Sequence, residues 1–188
     1  MTALICGHFL LLILYLNIIH SIFPILFNTI YLGGLIMSKF KIYLKAILIP
    51  IIIGAVVGFI TNKFNDYSSL VQPPFAPPSI LFPIVWSILY VLMGISYGIL
   101  KSNSLVDSNI NLIYYLQLFV NALWSIFFFV FKWRFFAFLW ILLLLTLVVI
   151  MIIRFYRKNK LSGLLQIPYL LWVSFATYLN FAIWLLNK

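Results

Sequence analysis

Five long runs of apolar residues constrain this chain more than any other feature of its sequence. They cover residues 42–60, 79–99, 110–131, 135–153 and 161–186. Each run is close to the roughly 20 residues that an α-helix needs to cross the hydrocarbon core of a bilayer. The runs are longer than β-strands and lack the two-residue alternation of a membrane β-barrel. The sequence therefore predicts an all-α integral membrane protein, with a bundle of five transmembrane helices in one domain over residues 37–188.

The composition excludes a soluble globular domain. Hydrophobic residues make up 66% of the chain and charged residues only 7%, whereas about a quarter of the residues in a soluble domain are charged. The formal net charge is +10, but the basic residues are spread over the ends of the apolar runs. This distribution is typical of topology signals, so we predict membrane lipid as a partner and no nucleic acid.

Residues 1–36 form a hydrophobic extension ahead of the five predicted spans. The extension contains no Lys or Arg and so lacks the positive segment of a signal peptide. Met37 begins a basic segment that is typical of the start of a membrane protein. We favour the interpretation that residues 1–36 precede the true start; the alternative is an extra helix over residues 10–30.

The two sides of the predicted bundle differ in positive charge. One side carries Lys39, Lys41, Lys45, Lys101, Arg154, Arg157, Lys158 and Lys160, and the other carries Lys63, Lys132, Arg134 and Lys188. Because cytoplasmic loops hold the excess of Lys and Arg, we expect a multi-pass protein of the cell membrane whose five-helix core begins in the cytoplasm. The long loop over residues 61–78 and the C-terminus then lie outside.

The proline-rich end of this long loop leads directly into the second span. Proline fixes φ and removes a backbone donor, so residues 72–78 should be extended and the helix should begin at about Ser79. Residues at three- and four-residue spacing share one face of this helix: Pro83, Trp86, Tyr90, Met93 and Tyr97. A long loop running into an aromatic face predicts a ligand pocket with the loop as its lid.

The third and fifth spans each carry polar and aromatic residues on one face. These residues are Gln117, Asn121 and Trp124 in the third span and Trp172, Ala176 and Asn180 in the fifth. Uncharged amides in hydrocarbon need partners, so they should point into the bundle. Hydrogen bonds between helices and contacts with a ligand both remain open as their role. A pocket of aromatic and amide side chains suits a large, flat, partly apolar ligand.

The chemistry that residues 37–188 lack is as informative as the chemistry they carry. They contain no His and no Cys, and their only carboxylates are Asp66 and Asp107, both in predicted loops. Ordinary zinc ligands and the commonest axial haem ligands are therefore absent, and we predict no metal site and no required cofactor. General acid–base catalysis and an intramembrane proton relay also lack candidates.

Two pairs of glycines recur at four-residue spacing in the first and second spans. Gly54 and Gly58 form one pair, and Gly94 and Gly98 form the other. Small residues at this spacing let helices approach closely in lipid. We favour packing within one chain over contacts between two copies.

Three motifs resemble the TspO family of tryptophan-rich sensory proteins, which includes the mitochondrial translocator proteins. They are QPPFAPPSILFPIVWSILYVLMG at 72–94, QLFVNALWSIFF at 117–128 and PYLLWVSFATYLNFAIW at 168–184. The resemblance implies a five-helix bundle, commonly a homodimer, whose first loop covers a pocket. It also implies that the pocket binds a porphyrin as its ligand, either protoporphyrin IX or a haem-like tetrapyrrole.

The resemblance also implies roles for individual residues. Trp86 and Trp172 match the two family tryptophans that are associated with porphyrin handling, and we expect them to bracket the macrocycle. Tyr67, Asn121 and Ala176 match family ligand contacts. With the residues that share the same helix faces, the predicted ligand-binding set is Tyr67, Trp86, Tyr90, Gln117, Asn121, Trp124, Trp172 and Ala176.

The sequence leaves the fate of the ligand open. Our leading hypothesis is a membrane receptor or sensor that acts in porphyrin sensing, sequestration or transport. One alternative is an enzyme that degrades protoporphyrin IX with light and oxygen, with Trp86 and Trp172 as its catalytic residues; another is a transporter of small amphiphiles. Phe75 and Ile80 stand where the family often has tryptophans, which reduces the stacking surface of the loop.

Overall fold

A computed structural model of the chain describes residues 33, 34 and 36–188. Of residues 1–36 only 33, 34 and 36 are described, so both interpretations of this segment, the unused start and the extra helix over residues 10–30, concern residues outside the described part. The chain divides into two units. The first, Met1–Lys41, is mostly outside the described part, and the second, Ile42–Lys188, is compact and contains all the contacts reported below.

The described residues contain five helical spans that are long and apolar enough to cross a membrane. The helices are α1 (Ile36–Asn62), α2 (Leu81–Ser102), α3 (Ser108–Ser125), α4 (Arg134–Lys158), α5 (Lys160–Leu164) and α6 (Ile167–Leu186). A π-helical turn, Ile126–Val130, extends α3, and α5 and α6 together make the fifth span. The predicted five-helix, all-α membrane fold is confirmed.

Prolines lie at two places where the helices differ from the predicted spans, the start of α2 and the start of α6. Helix α2 begins at Leu81 rather than Ser79, because a turn forms first in which Leu81 N donates to Pro78 O at 3.0 Å. The fifth span is interrupted at residues 165–166. Pro168 lies in the first turn of α6 and lacks the N–H that a continuous helix would use.

Helix α4 packs against both α3 and α6 and forms the centre of the core. Its buried positions recur at helical spacing: Ala137, Ile141, Leu144, Leu147, Val148, Met151 and Phe155. Lipid tails are as apolar as these side chains, so close packing and interhelical hydrogen bonds, rather than the hydrophobic effect, hold such helices together.

Two serines join α2 to α5 in the interior. Ser96 Oγ donates to Ser162 O at 2.7 Å, and Ser162 Oγ donates to Ser96 O at 2.8 Å. Both side chains are fully buried. The reciprocal bonds give both hydroxyl groups a hydrogen-bond partner, which hydrocarbon could not provide. They also hold the start of the fifth span against the second span.

Three of the four paired glycines lie where α1 and α2 approach each other. A Cβ on Gly94 would collide with the backbone of Ile47, and one on Gly98 would lie 2.6 Å from the Tyr43 ring. A Cβ on Gly54 would overlap the Tyr90 ring. Packing within one chain is confirmed for these three glycines, and the homodimer stays a prediction. At Gly58 a Cβ would meet nothing within 4 Å, so α1 and α2 have separated there.

A candidate ligand-binding cavity

A cavity of about 600 Å³ lies between α1, α2 and α3, at the end of the bundle that carries the long loop. Its volume is within the range of roughly 300–1,000 Å³ that is usual for small-molecule sites. Its aromatic lining consists of Tyr67, Phe82, Trp86, Tyr90, Trp124 and Phe129. Among the described residues that line it, none is charged. The cavity therefore suits a flat, largely apolar ligand.

Trp86 is the centre of the aromatic wall. Its ring centroid lies 5.5 Å from that of Tyr90, 6.3 Å from that of Trp124 and 6.1 Å from that of Tyr169. These separations are within the range of favourable aromatic pairs. Trp86, Tyr90 and Pro83 of the predicted face of the second span line the cavity. Met93 and Tyr97, further along the same face, are instead buried in the core and do not line it.

Amide side chains hold α3 against α6 beside this wall. Trp124 Nε1 donates to Asn180 Oδ1 at 3.1 Å. Tyr169 OH donates to Gln117 Oε1 at 2.9 Å and accepts from Asn121 Nδ2 at 3.1 Å. All five side chains are almost completely buried. The sequence left two roles open for the amides, hydrogen bonds between helices and contact with a ligand. The structure shows the hydrogen bonds between helices.

The structure divides the eight predicted ligand-binding residues into two groups. Tyr67, Trp86, Tyr90 and Trp124 line the cavity, whereas Gln117, Asn121, Trp172 and Ala176 are not among its lining residues. Trp172 packs edge-on against Phe82, with ring centroids 5.9 Å apart. Ala176 borders a small adjoining space of about 20 Å³, which shares Tyr67, Phe82, Trp124 and Phe129 with the cavity. Contact of any of the eight with a ligand stays a prediction.

Phe82, Phe129 and Gly58 are among the lining residues that reasoning from the sequence did not identify as ligand contacts. Phe82 could have been found, because it lies four residues before Trp86 and thus on the same helix face. Phe129 could not, because it belongs to the π-helical turn, which changes the helical register after Trp124. Gly58 was identified only as a packing residue, but it borders the cavity.

The long loop contributes to one end of the cavity and is internally braced. Tyr67 OH donates to Pro77 O at 3.2 Å, and the Tyr67 ring packs edge-on against Phe82 at 5.0 Å. Ile80, one of the two positions where the family often has tryptophans, lines the cavity. Phe75, the other, is 89% exposed and adopts a positive φ of 66°, so it adds nothing to the lining.

The same loop is anchored to the rest of the bundle at two places. Asp66 pairs at 2.6 Å with Arg134, the first residue of α4, and at 3.2 Å with Lys132 in the turn before it. At the end of α6, Asn187 Oδ1 accepts from Val71 N at 2.9 Å and Asn187 Nδ2 donates to Val71 O at 3.1 Å. These contacts, the loop anchor, tie both halves of the loop to the α3, α4 and α6 side of the protein.

We expect Asp66→Asn to increase the opening of the loop about tenfold, because the substitution removes the charge that holds Arg134 and Lys132. A tenfold change corresponds to about 1.4 kcal/mol, close to the roughly 1.5–3 kcal/mol that a hydrogen bond to a charged group contributes. Partial burial alone would raise the pKa of the Asp66 carboxyl, but hydrogen bonds and attraction from Arg134 and Lys132 outweigh it and lower that pKa. Hydrogen exchange of residues 65–75 measures the opening. Asn103→Ala, which removes a surface bond to Ile99 O, is the matched control.

The lowered pKa of Asp66 also fixes the pH dependence of the anchor. A carboxylate with a depressed pKa stabilises the folded loop above its ordinary pKa of 3.8 and loses this effect as the pH falls through the depressed value. Exchange in the wild-type loop should therefore approach that of Asp66→Asn only below about pH 4. Equal exchange in the two proteins at neutral pH would contradict the anchor.

The sequence of this chain is related to the sequences of several known proteins. The sequence profile described as the TspO/MBR family matches residues 46–185. The chain is 36% identical over 140 residues to the tryptophan-rich protein TspO of Chlorobaculum tepidum, covering 70% of this chain and 89% of that protein. It is 38% identical over 145 residues to the tryptophan-rich protein TspO of Archaeoglobus fulgidus, covering 76% and 94%. It is also 30% identical over 129 residues to the translocator protein of Ovis aries, covering 66% and 76%.

Proposed function

The chain belongs to the TspO/MBR family, and from this premise we propose that it binds a porphyrin such as protoporphyrin IX in the cavity between α1, α2 and α3. The binding would serve tetrapyrrole sensing, sequestration or transport in the cell membrane. Family membership supports a membrane sensor or translocator role, and the aromatic cavity is the observation that carries the ligand assignment.

The lining of the cavity supports a flat ligand with a polar edge. Trp86, Tyr90 and Trp124 offer stacking surfaces in the interior, where stacking and burial supply affinity. Asn62, Asn65 and Ser79 line the loop end, and Lys63 follows directly after α1. A macrocycle would lie among the rings, with its carboxylates at the polar loop end.

Titration of the purified protein with protoporphyrin IX in the dark tests this proposal. Because Trp86 and Trp124 line the cavity, we expect tryptophan fluorescence to be quenched saturably, with one ligand bound per chain. Quenching that rises in proportion to the porphyrin concentration without saturation would contradict the proposal. Free tryptophan in the same detergent controls for light absorption by the porphyrin.

Light-dependent degradation of the porphyrin is the second candidate function. The cavity wall supports it through oxidisable rings in contact with one another: Trp86 lies within 6.3 Å of Trp124 and 6.1 Å of Tyr169, measured between centroids. Illumination should then bleach bound protoporphyrin IX faster than free tryptophan at the same concentration does, and Trp86→Phe should remove the difference. Saturable binding without faster bleaching would contradict the degrading function and leave only the receptor function.

The charge bias supports a cytoplasmic start for the five-helix core. Under this proposal the loop anchor and the polar end of the cavity face the outside of the cell. We expect a tag attached after Lys188 to be accessible in intact cells, because five spans place the two ends of the core on opposite sides. A tag that is labelled only after permeabilisation would reverse the orientation.

A further inference from the structure

The loop is fastened on the side away from α1. Besides the Asp66 and Asn187 contacts of the loop anchor, Tyr178 OH in α6 donates to Pro74 O at 3.2 Å. Arg134, which holds Asp66, is itself only 10% exposed and stacks on the Phe128 ring at 4.3 Å. Passage of a ligand through the loop would have to break several of these contacts at once.

Helices α1 and α2, by contrast, separate toward the loop. They are in tight contact from Gly98 to Gly94, where an added Cβ would lie 2.6 Å from Tyr43 and 2.8 Å from Ala46 O, and again where Gly54 meets Tyr90. One turn further along α1, Gly58 has open space beside it. The close contact between α1 and α2 therefore ends between Gly54 and Gly58.

The gap between the two helices is open at its side. Ala55 and Gly58 on α1 and Pro83 and Ser87 on α2 all line the cavity and are also exposed. Ser87 is six residues into α2, so the gap extends roughly 9 Å below the loop end of the helix. The Ser87 hydroxyl donates to Pro83 O at 2.8 Å, so it can face hydrocarbon without an unmet hydrogen bond.

The surface around this gap is apolar. Phe59, next to Gly58 on α1, and Ile84 and Ile88, next to Pro83 and Ser87 on α2, are each at least half exposed. Such side chains on a membrane-spanning helix face lipid tails. The gap therefore connects the uncharged cavity to the hydrocarbon rather than to water.

We infer that the cavity opens laterally to the bilayer between α1 and α2, and that its ligand is a flat amphiphile already dissolved in the membrane, which passes Gly58 while the loop stays anchored. The ligand class deepens the proposed function and rests on it, whereas the lateral opening does not. Small side chains at Ala55, Gly58 and Ser87 keep the passage wide. A ligand with charge in its interior would be excluded by the hydrocarbon, whereas carboxylates at its edge could stay at the loop end.

The first test needs no porphyrin and uses lipids with brominated acyl chains, which quench tryptophans that they approach. In nanodiscs, a variant with Trp86 as its only tryptophan should be quenched strongly, and Gly58→Leu in the same background should reduce that quenching at least threefold. Gly58→Ala, which leaves most of the gap open, should not. Equal quenching in the single-tryptophan parent and in its Gly58→Leu derivative would overturn the lateral opening.

The second test measures the rate at which protoporphyrin IX, loaded into the nanodisc lipid, binds to a protein that keeps all its tryptophans. Gly58→Leu should slow association and dissociation at least tenfold each. Asp66→Asn and Asn187→Ala, which loosen the loop anchor, should leave association within twofold of wild type. An unchanged rate in Gly58→Leu, or a tenfold faster rate in the loosened loop, would overturn the route.

The two tests separate failure of this inference from failure of the proposed function. If the wild-type protein binds no porphyrin, the proposed function fails, and the brominated lipids alone decide whether the cavity is open to the bilayer. If the protein binds porphyrin and the lipids do not reach Trp86, the proposed function stands and the lateral opening is wrong.

Discussion

Gly94→Ala is expected to lower the free energy of unfolding by about 2–3 kcal/mol, as overpacking at a tight contact does. The new methyl group would collide with the backbone of Ile47 and lie 2.8 Å from Ala46 O. Backbone atoms cannot move aside as the end of a side chain can, so α1 would have to shift away from α2. For a chain of this length the loss corresponds to a fall in melting temperature of roughly 5–10 °C, measurable by circular dichroism in detergent.

Gly58→Ala is the matched control for this prediction. It makes the same chemical change on the neighbouring helix, but its methyl group would meet nothing within 4 Å. Alanine favours a helix over glycine by about 1 kcal/mol, so the melting temperature should stay the same or rise. An equal fall in both variants would mean that the loss comes from replacing glycine as such and not from the contact between α1 and α2.

Trp86→Leu is expected to weaken binding of protoporphyrin IX at least tenfold, or about 1.4 kcal/mol. Leucine keeps an apolar side chain at the position but removes the flat ring on which a macrocycle can stack, and aromatic pairs contribute beyond the area they bury. The Trp86 ring also aligns Tyr90 and Trp124, its neighbours in the cavity wall. The dissociation constant should be measured in the dark from the porphyrin absorbance, which does not depend on the number of tryptophans.

Trp172→Leu provides the comparison that decides between two positions for the ligand. The resemblance to the family suggests that Trp86 and Trp172 bracket the macrocycle, whereas Trp172 in the structure packs against Phe82 and Phe175 and is not a lining residue of the cavity. The cavity as described predicts a change of less than threefold. Equal losses in both variants would favour the bracketed position and count against the cavity between α1, α2 and α3.

Much of the fold could be predicted because in a membrane it depends on local sequence. The length of each apolar run sets a span, and the predicted ends lie within about six residues of the helix ends. The largest differences are at the start of α1, Ile36, and at the end of α4, Lys158. The glycines at 54, 94 and 98 indicated where helices approach, since a missing side chain leaves room for a ring or for the backbone of the neighbouring helix. The interruption before α6 was harder to predict, because proline is also tolerated within the first turn of a helix.

The candidate site was predictable only in part, because much of it depends on contacts between distant residues. Trp86 and Tyr90 follow from helical spacing, and both line the cavity. Nothing local to Asp66 indicates that it pairs with Arg134, which lies 68 residues further along the chain. Similarly, an amide such as Asn121 must point inward, but whether it binds Tyr169 or a ligand depends on how α3 and α6 are placed.

The position of the macrocycle in an experimental structure of the protein with protoporphyrin IX would test the central claim most directly. We expect the ring between α1 and α2, stacked on Trp86 and in contact with Trp124, with its carboxylates toward Asn62 and Asn65 at the loop end. A porphyrin bound against Trp172 and Ala176, with the cavity between α1, α2 and α3 empty, would contradict the account.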